Sequence, residues 1–159
     1  MTMAPFSVKK ANDSTGFLLW QVTALWQRKI AATLRPLDLT QVQFALLASL
    51  LWWSNKKTLL TQSMLAEHTK LDTMMTSQVL RTLEKKGLIE RRPHPTDTRA
   101  KILSLTKKGR DRAFRAVPAV EKADADFFNA TASNILQFNE SLRSLIHPSL
   151  SKSGETYVE

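Results

Sequence analysis

The sequence predicts a mainly α-helical protein carrying one small two-stranded β element, and three observations support this. Apolar residues recur at helical spacing through most of the 159 residues. Between Leu88 and Leu105 the period changes from about 3.6 to about 2. Cap and breaker residues (Pro36, Thr40, Thr61, Asp72, Gly87, Thr106, Pro148) fall at the ends of the periodic segments.

Residues 1–13 read as a poorly ordered arm. From Ser14 to Leu34, Phe17, Leu18, Val22, Leu25, Trp26 and Ile30 define a first helix, with Ser14 or Thr15 as its cap and Pro36 as its end. Thr40-Gln41-Val42-Gln43 reads as a capping box: the Thr40 hydroxyl accepts from the amide of Gln43 while the Gln43 side chain reaches back. It opens a helix to Trp53 that is apolar on all sides and therefore buried. Thr61 caps a short helix to Thr69, Lys70-Leu71 turns, and Asp72 caps a helix from Thr73 to Lys86 closed by Gly87. Leu88–Arg92 and Ala100–Leu105 flank the proline-stiffened turn 93–98 and form a hairpin. Thr106 caps a long helix to Phe128, interrupted at Pro118, where a kink is expected. A last helix runs from Thr131 to His147, and the tail SKSGETYVE is expected to be mobile. Two short helices joined by a tight turn and followed by a hairpin describe a winged helix-turn-helix, with further helices before and after it.

Charge agrees with this. The chain has no cysteine, 43% hydrophobic residues and a formal charge of +9. Segment 54–115 holds fifteen basic against six acidic residues and so carries the whole excess. Charge concentrated in this way is the electrostatic footprint of a nucleic-acid surface. The hydrophobic content supplies a core, and the missing cysteine excludes disulfides, thiolate metal sites and thiol sensing. The longest apolar run, Phe44–Trp53, is too short for a membrane span, and no secretory leader is visible. A cytoplasmic protein with no membrane association is expected.

The run LEKKGLIERRPHPTDTRAKILSLTKKG, Leu83–Gly109, resembles the MarR family of bacterial transcription regulators. Asp97-x-Arg99, then Leu105-Thr106 and Gly109, looks like the family's wing signature, and the preceding MTSQVLRTLEKKGLI looks like its recognition helix. The match is specific over residues 61–109, and the order of helices extends it over most of the chain. The resemblance implies a homodimer joined by terminal helices, here 14–53 and 107–147, around a winged helix-turn-helix lobe at 54–106, within a single domain spanning 1–159. It also implies binding to a pseudo-palindromic double-stranded DNA operator, commonly as a repressor, with release by a small, often aromatic, effector. A regulator that binds DNA without any effector is the alternative on the same fold.

In a helix-turn-helix the second helix enters the major groove and its N-terminal side chains meet base edges. Spacing sends Val79, Leu80 and Leu83 to the core and Thr73, Met74, Ser77, Gln78 and Arg81 to the groove face. Met75 is expected to pack in the core. Gln78 suits adenine, Arg81 suits guanine or phosphate, and Met74 or Thr73 suits a thymine methyl. Gln78 stands where the family often carries Arg. By resemblance, Arg99 is the wing arginine that lines a minor groove, with Asp97 orienting its guanidinium through a charge-assisted bond. His94 and Lys101, with Arg91 and Arg92, are expected at phosphates or in solvent.

Helices 14–34, 107–128 and 131–147 carry apolar stripes that the basic module cannot cover, so two-fold symmetry would bury them. Trp20, Trp26, Phe44, Trp52 and Trp53 lie on the two helices that, by resemblance, border an effector cleft, where aromatic walls suit a planar ligand. Other chemistry has little support. His68, His94 and His147 are widely separated and lack metal-ligand spacing, no carboxylate pair or Gly-rich phosphate loop is present, and no cofactor is expected.

Overall fold

The computed structural model describes residues 7–56 and 58–147. The expected mobile tail, the start of the arm and Pro148 lie outside the described residues. The elements are α1 (Thr15–Leu34), α2 (Gln41–Trp53), α3 (Gln62–Thr69), α4 (Thr73–Lys85), β1 (Ile89–Pro93), β2 (Lys101–Leu105), α5 (Lys107–Phe127) and α6 (Ile135–Ile146). Short 3-10 turns occupy Ala11–Asp13, Arg35–Leu37 and Phe128–Asn134. The chain divides after Ala123 into two compact units. Among the described residues, no helix is long and apolar enough to cross a membrane.

The caps read from the sequence are formed. The Ser14 hydroxyl accepts from the Phe17 amide at 3.4 Å, and both arms of the Thr40/Gln43 capping box measure 3.2 Å. Thr61 accepts from the Met64 amide at 3.4 Å, and Asp72 takes the amides of Met74 and Met75 at 2.8 and 3.0 Å. Gly87 closes α4 at φ +68°, a left-handed conformation that glycine adopts without Cβ strain. Lys70 (φ 54°) makes the tight turn between α3 and α4.

The core of the first unit gathers Ile30 and Leu34 from α1, Leu46, Leu47 and Leu50 from α2, Leu65 from α3, and Leu80 and Leu83 from α4. Full burial of each such side chain contributes roughly 1.5–3 kcal/mol. From α5 only small residues, Ala113, Ala116, Val120 and Ala123, enter this core, so that helix packs closely. Gly109 is the tightest point: a Cβ there would stand 1.8 Å from the Leu88 carbonyl oxygen.

The hairpin pairs Ile89 with Leu105 and Pro93 with Lys101 in antiparallel register. Each strand begins one residue later than expected, and β1 takes in Pro93. One contact was invisible to local patterning. The Leu103 amide donates to the Leu60 carbonyl at 2.9 Å and Thr61 bridges Ile102, so the segment before α3 borders the hairpin.

Four expectations need correction. Residues 11–13 of the arm form a 3-10 turn. Helix α2 is largely buried but leaves Trp52 64% exposed. Helix α5 runs through Pro118 without interruption. The missing Pro118 amide frees only the Phe114 carbonyl, and both residues lie on the exposed face, where water can satisfy it. The last helix begins at Ile135, not Thr131, because 128–134 coil as a 3-10 segment in which the Thr131 hydroxyl donates to the Phe128 carbonyl at 2.9 Å. In that second unit Phe128 packs against Phe127 and Phe138, with ring centroids 5.0 and 6.0 Å away.

Candidate nucleic-acid interface

Helix α4 is amphipathic along its whole length. Leu80, Leu83 and Thr76 are fully buried, and the Thr76 hydroxyl donates to the Asp72 carbonyl at 2.8 Å. Opposite them, Met74, Gln78 and Arg81 form an exposed stripe at i, i+4 and i+7, with Thr73 exposed and Ser77 half-buried beside it. Met74 is 71% exposed. Its flexible apolar side chain is free to pack on an apolar group of a partner. Met75 is also exposed, not in the core, because Thr76 takes the inward position at the helix start.

The wing is braced from within. The Asp97 carboxylate accepts from the Arg99 backbone amide at 2.9 Å. It therefore sets the path of the chain at Arg99, and no ion pair joins it to the guanidinium among the described residues. The expected carboxylate–guanidinium bond is thus replaced by a side chain-to-backbone turn, which leaves the exposed Arg99 head free to point outward. His94 has an internal role: its Nδ1 accepts from the amides of Thr96 and Asp97 at 3.4 and 3.2 Å. Lys101 is exposed at the start of β2. Arg91 departs from expectation, since its side chain is only 15% exposed and its Nε lies 3.1 Å from Glu84, tying β1 to α4. Arg92 pairs with Glu90 at 2.9 Å at the surface.

Several basic residues hold the lobe together in ways the sequence did not reveal. Lys86 reaches Asp38 at 3.0 Å and its carbonyl at 2.9 Å. This hydrogen bond and charge hold the Asp38 carboxyl below its ordinary value, with Arg112 and Lys108 adding to the effect. Lys108 donates to the Lys86 carbonyl at 2.9 Å, and Arg112 donates to the Leu37 carbonyl. The Thr106 hydroxyl donates to the Gly87 carbonyl at 2.7 Å and accepts from the Gly109 amide at 3.0 Å, joining the end of α4 to the start of α5.

The five aromatics expected around one cleft are not assembled there. Trp20 stacks on Phe17 on the exposed face of α1, and Trp26 and Phe44 pack half-buried against the core. Trp53 meets His68 edge-on at 5.9 Å, with the Lys56 ammonium 5.1 Å from its ring. Of the five, only Trp52 lines the groove of about 780 Å³ bordered by α2, α3 and α5, together with Leu51, Phe114 and Val117. Lys56, His68 and Arg110 also line it and no carboxylate does, a feature aromatic spacing could not reveal.

Residues 39–101 match the model of the MarR family. The chain is 49% identical over 119 residues to an uncharacterized HTH-type transcriptional regulator of Bacillus subtilis, covering 75% of this chain and 81% of that protein. A mutant MarR from E. coli complexed with operator DNA aligns with a TM-score of 0.73 at 25% identity, covering 82% of this chain and 91% of that one. A MarR family protein of Mycobacterium tuberculosis complexed with salicylic acid aligns with a TM-score of 0.62 at 32% identity, covering 83% and 96%.

Proposed function

Because the chain belongs to the MarR family of transcriptional regulators, we propose that it binds a pseudo-palindromic operator as a homodimer, acts as a repressor and is released by a small aromatic acid. The observation that carries this reading is the stripe Met74, Gln78 and Arg81 on α4, presented beside a wing whose Arg99 head is exposed. Thr73, Ser77, Gln78 and Arg81 would meet base edges, Met74 a thymine methyl, Arg99 the minor groove, and Lys101 phosphates. His94 would contribute by shaping the wing tip. Homodimerisation is supported by large apolar side chains left exposed, Phe17, Leu18, Trp20 and Leu25 on α1 and Leu136, Leu145 and Ile146 on α6. Patches of that kind are rare on monomers. The effector reading is supported by the groove at Trp52, whose apolar walls and three basic side chains fit an aromatic carboxylate, the class of salicylic acid bound by the M. tuberculosis relative.

A mobility-shift assay on the DNA flanking the protein's own gene tests this. The expected result is a complex of two subunits per duplex, weakened by salicylate, which should also quench tryptophan emission. Binding without preference over random duplex would overturn the operator reading, and binding unaffected by aromatic acids would overturn the effector reading. In the same assay Gln78→Ala should lower the ratio of operator to random-duplex affinity by about 1–3 kcal/mol per half-site, leaving random-duplex affinity nearly intact. Equal loss on both duplexes would remove Gln78 from base readout.

A further inference from the structure

We propose that the basic belt where α4 ends and α5 begins is a second DNA contact, a clamp on the phosphate backbone bordering the groove that α4 occupies. The inference rests on the DNA-binding reading above and concerns residues outside the stripe and the wing. Lys86, Lys108 and Arg112 converge around the single carboxylate of Asp38, leaving positive charge in excess. Lys107 and Arg115 extend the cluster: they share a recess of about 430 Å³ with Lys108, Arg112 and one acid, Asp111. Both side chains are exposed, and neither makes a side-chain hydrogen bond or ion pair among the described residues.

Three features suit this belt to DNA. The first is reach. Thirteen residues of α4 span about 20 Å at 1.5 Å per residue, whereas the major groove is about 12 Å wide. A helix that crosses the groove and is seated by its N-terminal half therefore carries its last turn out over the bordering phosphates. The second is the masking of the helix end, whose free carbonyls would ordinarily repel a phosphate. Here Lys108 covers the Lys86 carbonyl at 2.9 Å and Thr106 covers that of Gly87 at 2.7 Å, so the negative pole is capped, partly by a cation. The third is extent. Cations from Lys107 to Arg115 are strung over about 12 Å of α5, which matches a row of phosphates better than one small anion.

The full-length double variant Lys107→Gln/Arg115→Gln tests the clamp on an operator duplex and a random duplex of equal length, between 50 and 200 mM salt. Both side chains are exposed, so its melting temperature should stay near that of the parent. Affinity should fall by a similar factor on both duplexes. The slope of log K against log salt should become shallower by about 0.9 for each lost contact, hence about 1.8 per bound subunit. The charge-preserving pair Lys107→Arg/Arg115→Lys should keep both affinity and slope. An unchanged slope in the glutamine variant, or a loss confined to the operator, would overturn the clamp. A parent protein that binds neither duplex would overturn the DNA-binding reading itself.

Discussion

Gly109→Ala should lower the melting temperature by about 10 °C, while Gly16→Ala should leave it unchanged or raise it slightly. Both glycines lie in the first turn of a helix, where alanine is ordinarily favoured by up to about 1 kcal/mol. The difference is what each methyl group would meet. At Gly16 nothing lies within 4 Å, whereas at Gly109 the new carbon would stand 1.8 Å from the Leu88 carbonyl oxygen and 2.7 Å from its carbonyl carbon. Backbone cannot swing aside as a side chain can, so α5 must shift away from Leu88. Overpacking typically costs 1–3 kcal/mol and occasionally more, and rigid backbone puts this case at about 3 kcal/mol or above. At about 2–4 °C per kcal/mol for a chain of this size, the loss reaches about 10 °C. The same shift would strain the Thr106 bonds to Gly87 and Gly109 and so misplace the end of α4. DNA affinity should therefore fall with stability, although Gly109 makes no DNA contact in this reading. Equal melting curves for Gly109→Ala and the parent protein would mean that α5 does not pack this closely on Leu88.

What the sequence disclosed about the fold was what is local. Caps act within three or four residues, so Thr40, Thr61, Asp72 and Gly87 marked their boundaries, and period 2 at 88–105 marked the hairpin. Pro118 misled because the rule against internal proline assumes a freed carbonyl with no partner, and here Phe114 and Pro118 both lie on the exposed face, within reach of water. Met75 misled because spacing alone does not say which of two adjacent residues turns inward, and the small Thr76 took that place.

Candidate site residues were legible for the same reason. The α4 stripe follows from helix geometry over a single element. The roles of Lys86, Lys108 and Arg112 depend on partners at Asp38, Lys86 and Leu37, up to 75 residues away, and no local pattern carries that information. All three counted toward the basic footprint in the sequence, yet each holds an internal acceptor. The effector groove shows the same limit. Its polar lining brings together residues from positions 56, 68 and 110, while of the five aromatics on neighbouring helices only Trp52 lines it.

Arg99→Ala should weaken operator binding by about ten- to a hundredfold per half-site, the effect of about 1.4–2.8 kcal/mol, and make the salt dependence shallower. The reason lies in how the wing is built. Asp97 fixes the backbone at Arg99 without engaging the guanidinium, so a preorganised chain presents an exposed cation where a narrow minor groove concentrates negative potential. This geometry separates two roles for Asp97. Were the carboxylate needed to orient the guanidinium by charge, Asp97→Asn should hurt almost as much as Arg99→Ala. In the observed turn the amide oxygen of asparagine can accept the same bond from the Arg99 amide. Asp97→Asn should therefore retain operator binding, and loss of a negative charge beside the duplex should strengthen binding to random DNA at low salt. Asp97→Ala removes the acceptor, so the wing tip loosens and part of the Arg99→Ala defect should appear. Affinity measured for the three variants at two salt concentrations decides the matter. Full activity in Arg99→Ala would remove the wing from the interface, and a severe defect in Asp97→Asn would restore the guanidinium as the group that Asp97 serves.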